Sequence, residues 1–431
     1  MDDSTNESLK SHIRAARGKF TVMGLTYFSG VLNDNFFRQC ALLMAVAMDK
    51  SYLQGYATVI FTLPFILFAA PAGFCADRFS KRSIVIVSKT LELLAMIFAG
   101  IGIYSSNWIL ILVTLFIMGM QSTLFGPSLK GTIPELYPAE YIVRANAIIR
   151  MLSTGAILVG IAAAGVVLDR QSTVGRVPLG QVVAACAVVA MAAIGLIMSL
   201  GVPSFPAASP KARFPWSGPV NSLMTLYNVR SDSLLTIVII AKALFWFIGS
   251  LQILIINEMG TKQFGLTKTL TSMLIVVELI GIAVGSLFSV RLAKGKRWFR
   301  VLGPAAVVMA VCMFTVAIVP GLADSARKWT LTATLGILGM AGGIYSVPLA
   351  GFVQVRPSAE TKGRVIAASM FADFTGILIS GPVFHLLNVM SIKPSNCFAF
   401  EAVMMTAVAI WLLIVLSKKG DDARFYRTNN S

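Results

Sequence analysis

Two residues of opposite charge, Asp34 and Arg38, lie four positions apart inside an otherwise apolar stretch near the start of the chain. In a helix, residues at this spacing share one face, so a carboxylate and a guanidinium would be presented together. Such a pair can bind the two ends of a zwitterion, an ammonium at Asp34 and a phosphate at Arg38. It can also form an internal salt bridge. Asn33 and Asn35 flank the carboxylate and could hold it, and Asn35 is counted with Asp34 and Arg38 as a candidate binding residue.

A single lysine, Lys130, ends a later apolar stretch and is a candidate partner for a phosphate. An internal repeat with a shift of 220 residues, described below, places Ala350 at the corresponding position, so the repeated scaffold does not require the charge. Pro127 removes a backbone hydrogen bond nearby and loosens the helix. The alternative is a lysine that extends its ammonium group to the membrane surface. Glu135, five residues on, is a candidate partner of Lys130.

Two further charged residues, Lys242 and Glu278, lie at similar depth in neighbouring apolar stretches and could pair with each other. Both are candidate substrate-binding residues. Lys89 and Glu92 are three positions apart, which favours a structural ion pair on one helix. Asp373 could accept a proton or a sodium ion.

The sequence lacks the motifs of several enzyme classes. The chain contains no GxxxxGK[ST] phosphate loop, so the sequence does not indicate an ATPase. Neither His12 nor His385 begins the His-x4-Asp pair of glycerolipid acyltransferases. The five cysteines form no CxxC pair and are interpreted as inert core thiols. We therefore expect no enzyme activity, no cofactor and no metal site.

Composition identifies the environment of these residues. Apolar residues make up 56% of the 431-residue chain and charged residues 13%, against roughly 25% in soluble domains. The mean hydropathy is +0.79. These values argue against a soluble enzyme, a nucleic-acid binder or a disordered scaffold. The net charge is +17, and its positive residues lie between long apolar stretches, which indicates a lipid bilayer rather than nucleic acid.

A bilayer-spanning helix needs about 20 mostly apolar residues, and this rule predicts an all-α polytopic membrane protein with twelve transmembrane helices. Glu401 would lie near the outer end of the last one, at the interface. The predicted spans are 20–47, 52–76, 83–104, 108–134, 145–168, 178–202, 233–256, 269–290, 301–319, 329–353, 365–387 and 396–416.

The longest polar connection, residues 203–232, divides these spans into two groups of six. It predicts an N-terminal bundle at 20–202 and a C-terminal bundle at 233–416, with residues 1–19 and 417–431 outside the membrane.

If the N-terminus is inside, the inner segments carry 23 Lys and Arg residues and the outer loops 8. By the positive-inside rule, both termini, and the connection between the bundles, are expected in the cytoplasm.

The two halves repeat a local pattern. Ala139-Glu140-x-x-x-Arg144 recurs as Ala359-Glu360-x-x-x-Arg364, and Gly131 and Gly351 match at the same shift of 220 residues. Duplicated six-helix halves are typical of secondary transporters, whose substrate lies near the midplane between the halves.

A charged loop follows the second span and reads Gly73-Phe-Cys-Ala-Asp77-Arg78-Phe-Ser-Lys81-Arg82. Together with twelve spans and the repeat, it resembles the signature loop of the major facilitator superfamily. A weaker copy runs from Gly285 through Arg291 to Lys296-Arg297. We expect Asp77, Arg78, Lys81 and Arg82 to bridge helix ends as a cytoplasmic latch. Glu135, Arg144 and Arg364 are grouped with them as gating residues.

Three stretches indicate one particular family within this superfamily. They are Asn33-Asp34-Asn35, the run from Gly126-Pro127 through Lys130 to Pro134-Glu135-Leu136, and Val143-Arg144-Ala145-Asn146. These, with Val347-Pro348-Leu349 and Gly363-Arg364-Val365, are similar to the bacterial lysophospholipid transporter family from about Phe20 to Leu416. The resemblance implies two six-helix halves and a cavity lined by the first, fourth, seventh and tenth helices.

The same resemblance implies inward flipping of lysophosphatidylethanolamine and related lipids across the bacterial inner membrane, and we expect the protein to act as a monomer. It implies a cytoplasmic acyltransferase/acyl-carrier-protein synthetase as the partner that re-acylates them. Two other functions stay open at this point. One is a proton-coupled exporter of drugs or amphiphiles from the same superfamily, and the other is a membrane scaffold or sensor without transport activity.

Overall fold

The computed structural model describes residues 3–207, 209–211, 214–293, 298–358 and 360–419. Ala359 of the repeat and Lys296-Arg297 of the weaker loop copy lie outside the described residues. The regular secondary structure of the described residues is helical apart from one short antiparallel hairpin, β1 (Thr173–Val174) paired with β2 (Val177–Pro178).

The helices follow the chain in the order predicted from its apolar stretches. The first eight are α1 (Asp3–Ala47), α2 (Leu53–Leu67), α3 (Ala69–Arg78), α4 (Lys81–Ser105), α5 (Trp108–Gly131), α6 (Ile133–Leu136), α7 (Ala139–Leu168) and α8 (Leu179–Ser199). The others are α9 (Gly218–Val229), α10 (Ser233–Glu258), α11 (Lys268–Leu292), α12 (Leu302–Ile318), α13 (Asp324–Val355), α14 (Lys362–Val389) and α15 (Pro394–Lys419). A π-helical turn, Met259–Gln263, continues α10.

By length and composition, ten helices in the described part of the chain could cross a membrane, and α2 with α3 would be an eleventh. That predicted single span, 52–76, bends by 49°. Pro71 lies in the first turn of α3 and has no N–H with which to continue the ladder of α2. The remaining predicted span, 20–47, lies inside α1, where the polar run around Asp34 lowers the hydropathy. The prediction of a polytopic all-α membrane protein is confirmed.

The chain forms two compact units, residues 1–41 with 60–218 and residues 42–59 with 219–431. In the first unit, α4 packs between α5 and α8. Part of its core is aromatic: the rings of Tyr27 and Phe125 stack with centroids 5.9 Å apart. In the second unit, the main pairings are α11 with α13, α12 with α15, and α10 with α14.

The pairing of α11 with α13 depends on glycines. A Cβ atom built on Gly339 would collide with the carbonyl oxygen of Glu278, and one built on Gly285 with the carbonyl oxygen of Met340. Small residues of this kind let membrane helices approach backbone to backbone.

We therefore expect Gly339→Ala to lower the thermal midpoint of the detergent-solubilised protein, since relieving the collision costs about 1–3 kcal/mol. Gly249→Ala is the matched control. A Cβ atom there meets no atom within 4 Å, and alanine gains about 1 kcal/mol of helix propensity. Equal midpoints for the two variants would contradict the close-packing explanation.

The connection 203–232 contains a helix, α9, in a segment whose polar composition predicts only a linker. Within and just before α9, Trp216, Val220, Leu223 and Tyr227 are exposed and recur at helical spacing, so they form an apolar stripe. Trp216 is 90% exposed. The polar and proline-rich composition of this segment conceals the stripe in the sequence.

Candidate functional site

Asp34 lies on α1 and faces α5 within the first unit. Its carboxylate accepts a hydrogen bond from Ser122 Oγ at 2.5 Å and a longer one from Gln121 Nε2 at 3.4 Å. Neither donor is predicted from the sequence, although a glutamine within an apolar span is a recognisable signal. Arg38, one turn further along α1, lies over the ring of Phe61 at 5.4 Å, and its Nε atom is buried without a hydrogen bond. Among the described residues, Arg38 makes no ion pair with Asp34.

The two flanking asparagines do not hold Asp34, and that prediction was wrong. Asn33 donates to Glu92 Oε1 at 3.1 Å and to the carbonyl of Val188 at 3.2 Å. Asn35 donates to the carbonyl of Val31 at 2.8 Å, within its own helix. Successive helix positions point about 100° apart, so neighbours in sequence face different helices.

The predicted Lys89–Glu92 pair is confirmed. Lys89 Nζ lies 2.6 Å from Glu92 Oε2, and the two side chains are 0% and 1% exposed. Lys89 Nζ also lies 4.6 Å from the centre of the Phe125 ring. This pair is completely withdrawn from solvent, and Asn33 satisfies the second carboxylate oxygen.

Asp34 is within electrostatic range of both Lys89 and Glu92. Since Lys89 and Glu92 neutralise each other, an ionised Asp34 would give the cluster one net negative charge. Asp34 is also only partly buried, whereas Lys89 and Glu92 are inaccessible. Ser122 and Gln121 therefore hold the Asp34 carboxylate in place by hydrogen bonds, and this carboxylate can bind a cationic group.

Lys130 is exposed in the last turn of α5, and its ammonium lies 5.6 Å from the centre of the Tyr27 ring. Glu135 does not pair with it, contrary to the expectation. The partner of Glu135 is Lys81, whose side chain also packs against Gly131. Lys130 thus keeps an exposed ammonium, which can bind an anion.

In the second unit, Lys242 pairs with Asp373 at 2.5 Å and with Ser369 Oγ at 3.1 Å. The expected pairing of Lys242 with Glu278 is wrong, because α10 turns this lysine toward α14 rather than toward α11. Asp373 Oδ1 is buried without a hydrogen bond. The pair therefore retains an acceptor that can still bind a donor.

Glu278 lies in the middle of α11 and is buried. Glu401 was expected at the membrane interface, but it is fully buried on α15. This correction arises because α15 turns Glu401 into the helical bundle, and an apolar sequence does not specify that rotation. No group of three His, Cys, Asp or Glu side chains in the described residues could hold a metal ion.

The signature loop links helix ends of the first unit. Lys81 pairs with Glu135 of α6, and Arg82 Nη2 donates to the carbonyl of Leu200 at 2.8 Å. The Arg78 guanidinium lies 5.7 Å from the centre of the Phe74 ring, while Asp77 is exposed.

The other two gating candidates are exposed. Arg144 lies over the ring of Tyr141 at 5.7 Å, and Glu135 faces Lys81 rather than Arg144. Arg364 is exposed in the first turn of α14. The assignment of all these residues to gating stays a prediction.

Comparison with known proteins agrees with this description. A family model described as Major Facilitator Superfamily matches residues 23–381. The lysophospholipid transporter LplT of Klebsiella pneumoniae subsp. pneumoniae is 23% identical over 414 residues, which cover 95% of this chain and 97% of that protein. A protein of the same name from Salmonella gallinarum is 26% identical over 382 residues, covering 87% and 88%.

Solved structures show the same fold at lower identity. A bacterial homologue of the human lysosomal transporter Spinster has a TM-score of 0.68 and 14% identity, covering 94% of this chain and 96% of its own. The nucleoside transporter NupG has a TM-score of 0.68 and 13% identity, covering 93% and 99%.

Proposed function

Since the chain belongs to the Major Facilitator Superfamily, we propose that it is a secondary transporter of lysophospholipids such as lysophosphatidylethanolamine. It moves them by alternating access from the outer to the inner leaflet of the bacterial inner membrane, where a cytoplasmic acyltransferase/acyl-carrier-protein synthetase re-acylates them. Both termini lie in the cytoplasm and the monomer is the working unit. The similarity to LplT proteins over most of both chains supports this substrate class.

One observation carries the proposal: the exposed Lys130 and the partly buried Asp34 are opposite charges on helices that pack in the same unit. A lysophosphatidylethanolamine headgroup has an ammonium and a phosphate. Asp34 would bind the ammonium, because an ionised Asp34 gives its cluster one net negative charge. Lys130 would bind the phosphate, because its own ammonium has no acidic partner among the described residues.

The remaining candidates have secondary roles in this proposal. Arg38 is a second site for the phosphate, and its buried, unpaired Nε atom supports that role. Lys242 and Glu278 remain candidate substrate-binding residues of the second unit. Neighbouring Asn35 would contact the headgroup after release from its own helix carbonyl.

The test is transport in proteoliposomes that contain the purified protein. Fluorescent lysophosphatidylethanolamine is added outside, and its protection from an added quencher reports flipping. A cationic dye and a two-chain phosphatidylethanolamine are compared in parallel. Movement of the single-chain lipid alone supports the proposal. Dye movement without lipid movement would establish the exporter, and movement of neither would favour a scaffold.

Replacement of Lys130 distinguishes two roles for this residue. In one, its ammonium binds the phosphate of the lipid. In the other, the side chain only extends to the membrane surface. We expect Lys130→Ala to reduce transport of every phosphate-bearing lysolipid by about tenfold, because a charged hydrogen bond contributes about 1.5–3 kcal/mol. Lys130→Arg should retain part of the rate, since the positive charge remains. Lys393→Ala, at another exposed lysine, is the control. Wild-type transport by Lys130→Ala would favour the membrane-surface alternative.

A further inference from the structure

Three aromatic side chains meet in the second unit, where the start of α2 lies against the end of α14. Tyr52 directly precedes α2 and Tyr56 follows four positions later, so the two rings share one face. Their ring centroids are 6.3 Å apart. The ring of His385 on α14 lies 6.2 Å from that of Tyr52 and 5.1 Å from that of Tyr56. The proposed binding residues include none of these three.

Two glycines let the helices approach closely enough for this contact. A Cβ atom built on Gly55 would lie 2.6 Å from the carbonyl oxygen of Gly381 and 3.4 Å from Cβ of His385. The two backbones therefore touch beside the rings, as small residues allow in membrane helices. Nδ1 of His385 is buried and has no hydrogen bond among the described residues. This nitrogen does not fix the ring, and packing against α2 does.

The angles between the rings suit the walls of a box around a cation. The ring planes of Tyr52 and Tyr56 are inclined at 89°, and that of His385 is inclined at 72° to Tyr52 and 53° to Tyr56. A cation about 4.5 Å above each of two perpendicular rings requires centroids about 6.4 Å apart. The two tyrosines match this separation, and His385 closes a third side. Edge-to-face packing without a ligand gives similar angles, and the experiment below distinguishes the two.

Both tyrosine rings are accessible to a ligand. Tyr52 is 39% exposed and Tyr56 is 45% exposed, while His385 is half-buried. From the Lys and Arg asymmetry we expect the start of α2 and the end of α14 at the outer face, where the proposed transport takes up its lipid. Tyrosine is also common in the aromatic belts of membrane proteins. A belt tyrosine, however, does not distinguish one headgroup from another.

A carboxylate lies at the same end of the helices. Glu258, the last residue of α10, accepts a hydrogen bond from Asn388 at 2.9 Å. Asn388 follows His385 by three residues, so it is one turn further along α14. Glu258 is half-buried and makes no ion pair within the described part of the chain, since Lys262 pairs with Asp49. Its negative charge adds to the attraction of the ring faces for a cation.

We propose that Tyr52, Tyr56 and His385 form an aromatic cage that binds the ammonium group of a phospholipid headgroup. The faces of aromatic rings carry partial negative charge, and cages of such rings bind quaternary ammonium ligands. The cage accepts ethanolamine and choline headgroups and gives no such attraction to a glycerol headgroup. It therefore selects the headgroup before transport, without forming or breaking a covalent bond. This inference rests on the proposed lysophospholipid transport.

The experiment measures binding of fluorescent lysolipids to the full chain in nanodiscs. An Asp34→Asn background removes the other proposed ammonium site, so the cage is measured alone. We expect Tyr56→Leu to raise the Kd of lysophosphatidylethanolamine and lysophosphatidylcholine about fivefold, and that of lysophosphatidylglycerol by no more than about 1.5-fold. Tyr56→Phe keeps the ring and is the matched control, so it should bind all three lipids as the background protein does.

A second readout tests the ring face directly. Tyr56→Phe is prepared with increasing numbers of ring fluorine atoms, which withdraw negative charge from the face and change the size of the ring little. The affinity for lysophosphatidylethanolamine should fall with each added fluorine, since the quadrupole of the ring weakens. An affinity that stays constant across this series, or an equal loss for all three lipids in Tyr56→Leu, would overturn the cage and favour packing or a membrane belt.

Flipping assays in proteoliposomes separate this inference from the proposed function. Absence of any lysolipid flipping, with headgroup-selective binding intact, would overturn transport and leave the cage standing. Flipping by Tyr56→Leu with an unchanged preference for lysophosphatidylethanolamine over lysophosphatidylglycerol would overturn the cage alone. If free ethanolamine displaces the lysolipid at equal concentration, the cage binds a soluble amine and the lipid assignment is wrong. If Tyr56→Leu fails to fold, Tyr52→Leu, at the other exposed ring, decides each readout.

Discussion

Asp34→Asn is expected to abolish lysophospholipid flipping while the protein still inserts and folds. Asparagine has nearly the same shape and can still accept the hydrogen bond that Ser122 donates at 2.5 Å. It lacks the negative charge that an ionised Asp34 supplies beside the neutral Lys89–Glu92 pair. The ammonium of the headgroup would lose a charged hydrogen bond of about 1.5–3 kcal/mol, which predicts a loss of tenfold to more than a hundredfold.

The measurement is flipping of lysophosphatidylethanolamine in proteoliposomes, with protein amount and thermal midpoint checked in detergent. Asp324→Asn is the matched control, because it removes a carboxylate that is 90% exposed and paired only with Arg327 on the same helix. A lysolipid that lacks the ammonium, such as lysophosphatidylglycerol, should be less affected by Asp34→Asn. Full transport by a normally expressed Asp34→Asn protein would remove Asp34 from the site.

Lys89→Met is expected to cause the largest loss of stability of any single substitution considered. It would leave the Glu92 carboxylate in a position that is 1% exposed, with only the Asn33 amide as a donor. Removing one partner of a buried ion pair typically costs about 3–5 kcal/mol, because the other charge is left uncompensated. The thermal midpoint measured by fluorescence-detected size-exclusion chromatography should therefore fall clearly below that of the wild type.

A double variant shows whether the loss of stability comes from the uncompensated charge of Glu92 or from lost packing of the Lys89 side chain. Lys89→Met with Glu92→Gln removes both charges and keeps similar volumes, so we expect it to regain much of the lost stability. Since neutral replacements of buried ion pairs are often tolerated, the double variant should be more stable than Lys89→Met alone. If the single variant matches the wild type, or if the double variant is worse, the buried ion pair does not control stability here.

The sequence predicted the features that depend on spacing along one helix. The Lys89–Glu92 pair follows from positions three apart, and the spans follow from long apolar stretches. Partners on different helices could not be predicted, because they depend on how each helix is rotated. For that reason similar depth in neighbouring spans predicts Glu278 as the partner of Lys242, whereas the structure shows Asp373.

Helix rotation also explains why the partners of charged residues in the first unit are not predicted from the sequence. Glu135 follows Lys130 by five residues and is predicted to pair with it, yet Lys81 reaches Glu135 from the start of α4. The donors to Asp34, Gln121 and Ser122, lie on α5 and have no sequence link to α1. Nor could the apolar stretch 52–76 reveal its bend, since proline is also tolerated in straight membrane helices.

The glycine contacts between α11 and α13 also impose an order on biosynthesis. The two helices are not consecutive, since α12 separates them, and Gly285 precedes its contact at Met340 by 55 residues. At about 5–20 residues per second of synthesis, α11 has no α13 to pack against for roughly 3 to 11 seconds after Gly285 is made. Until α13 has been synthesised, the glycine face of α11, with Glu278 beside it, must therefore contact lipid or the insertion machinery.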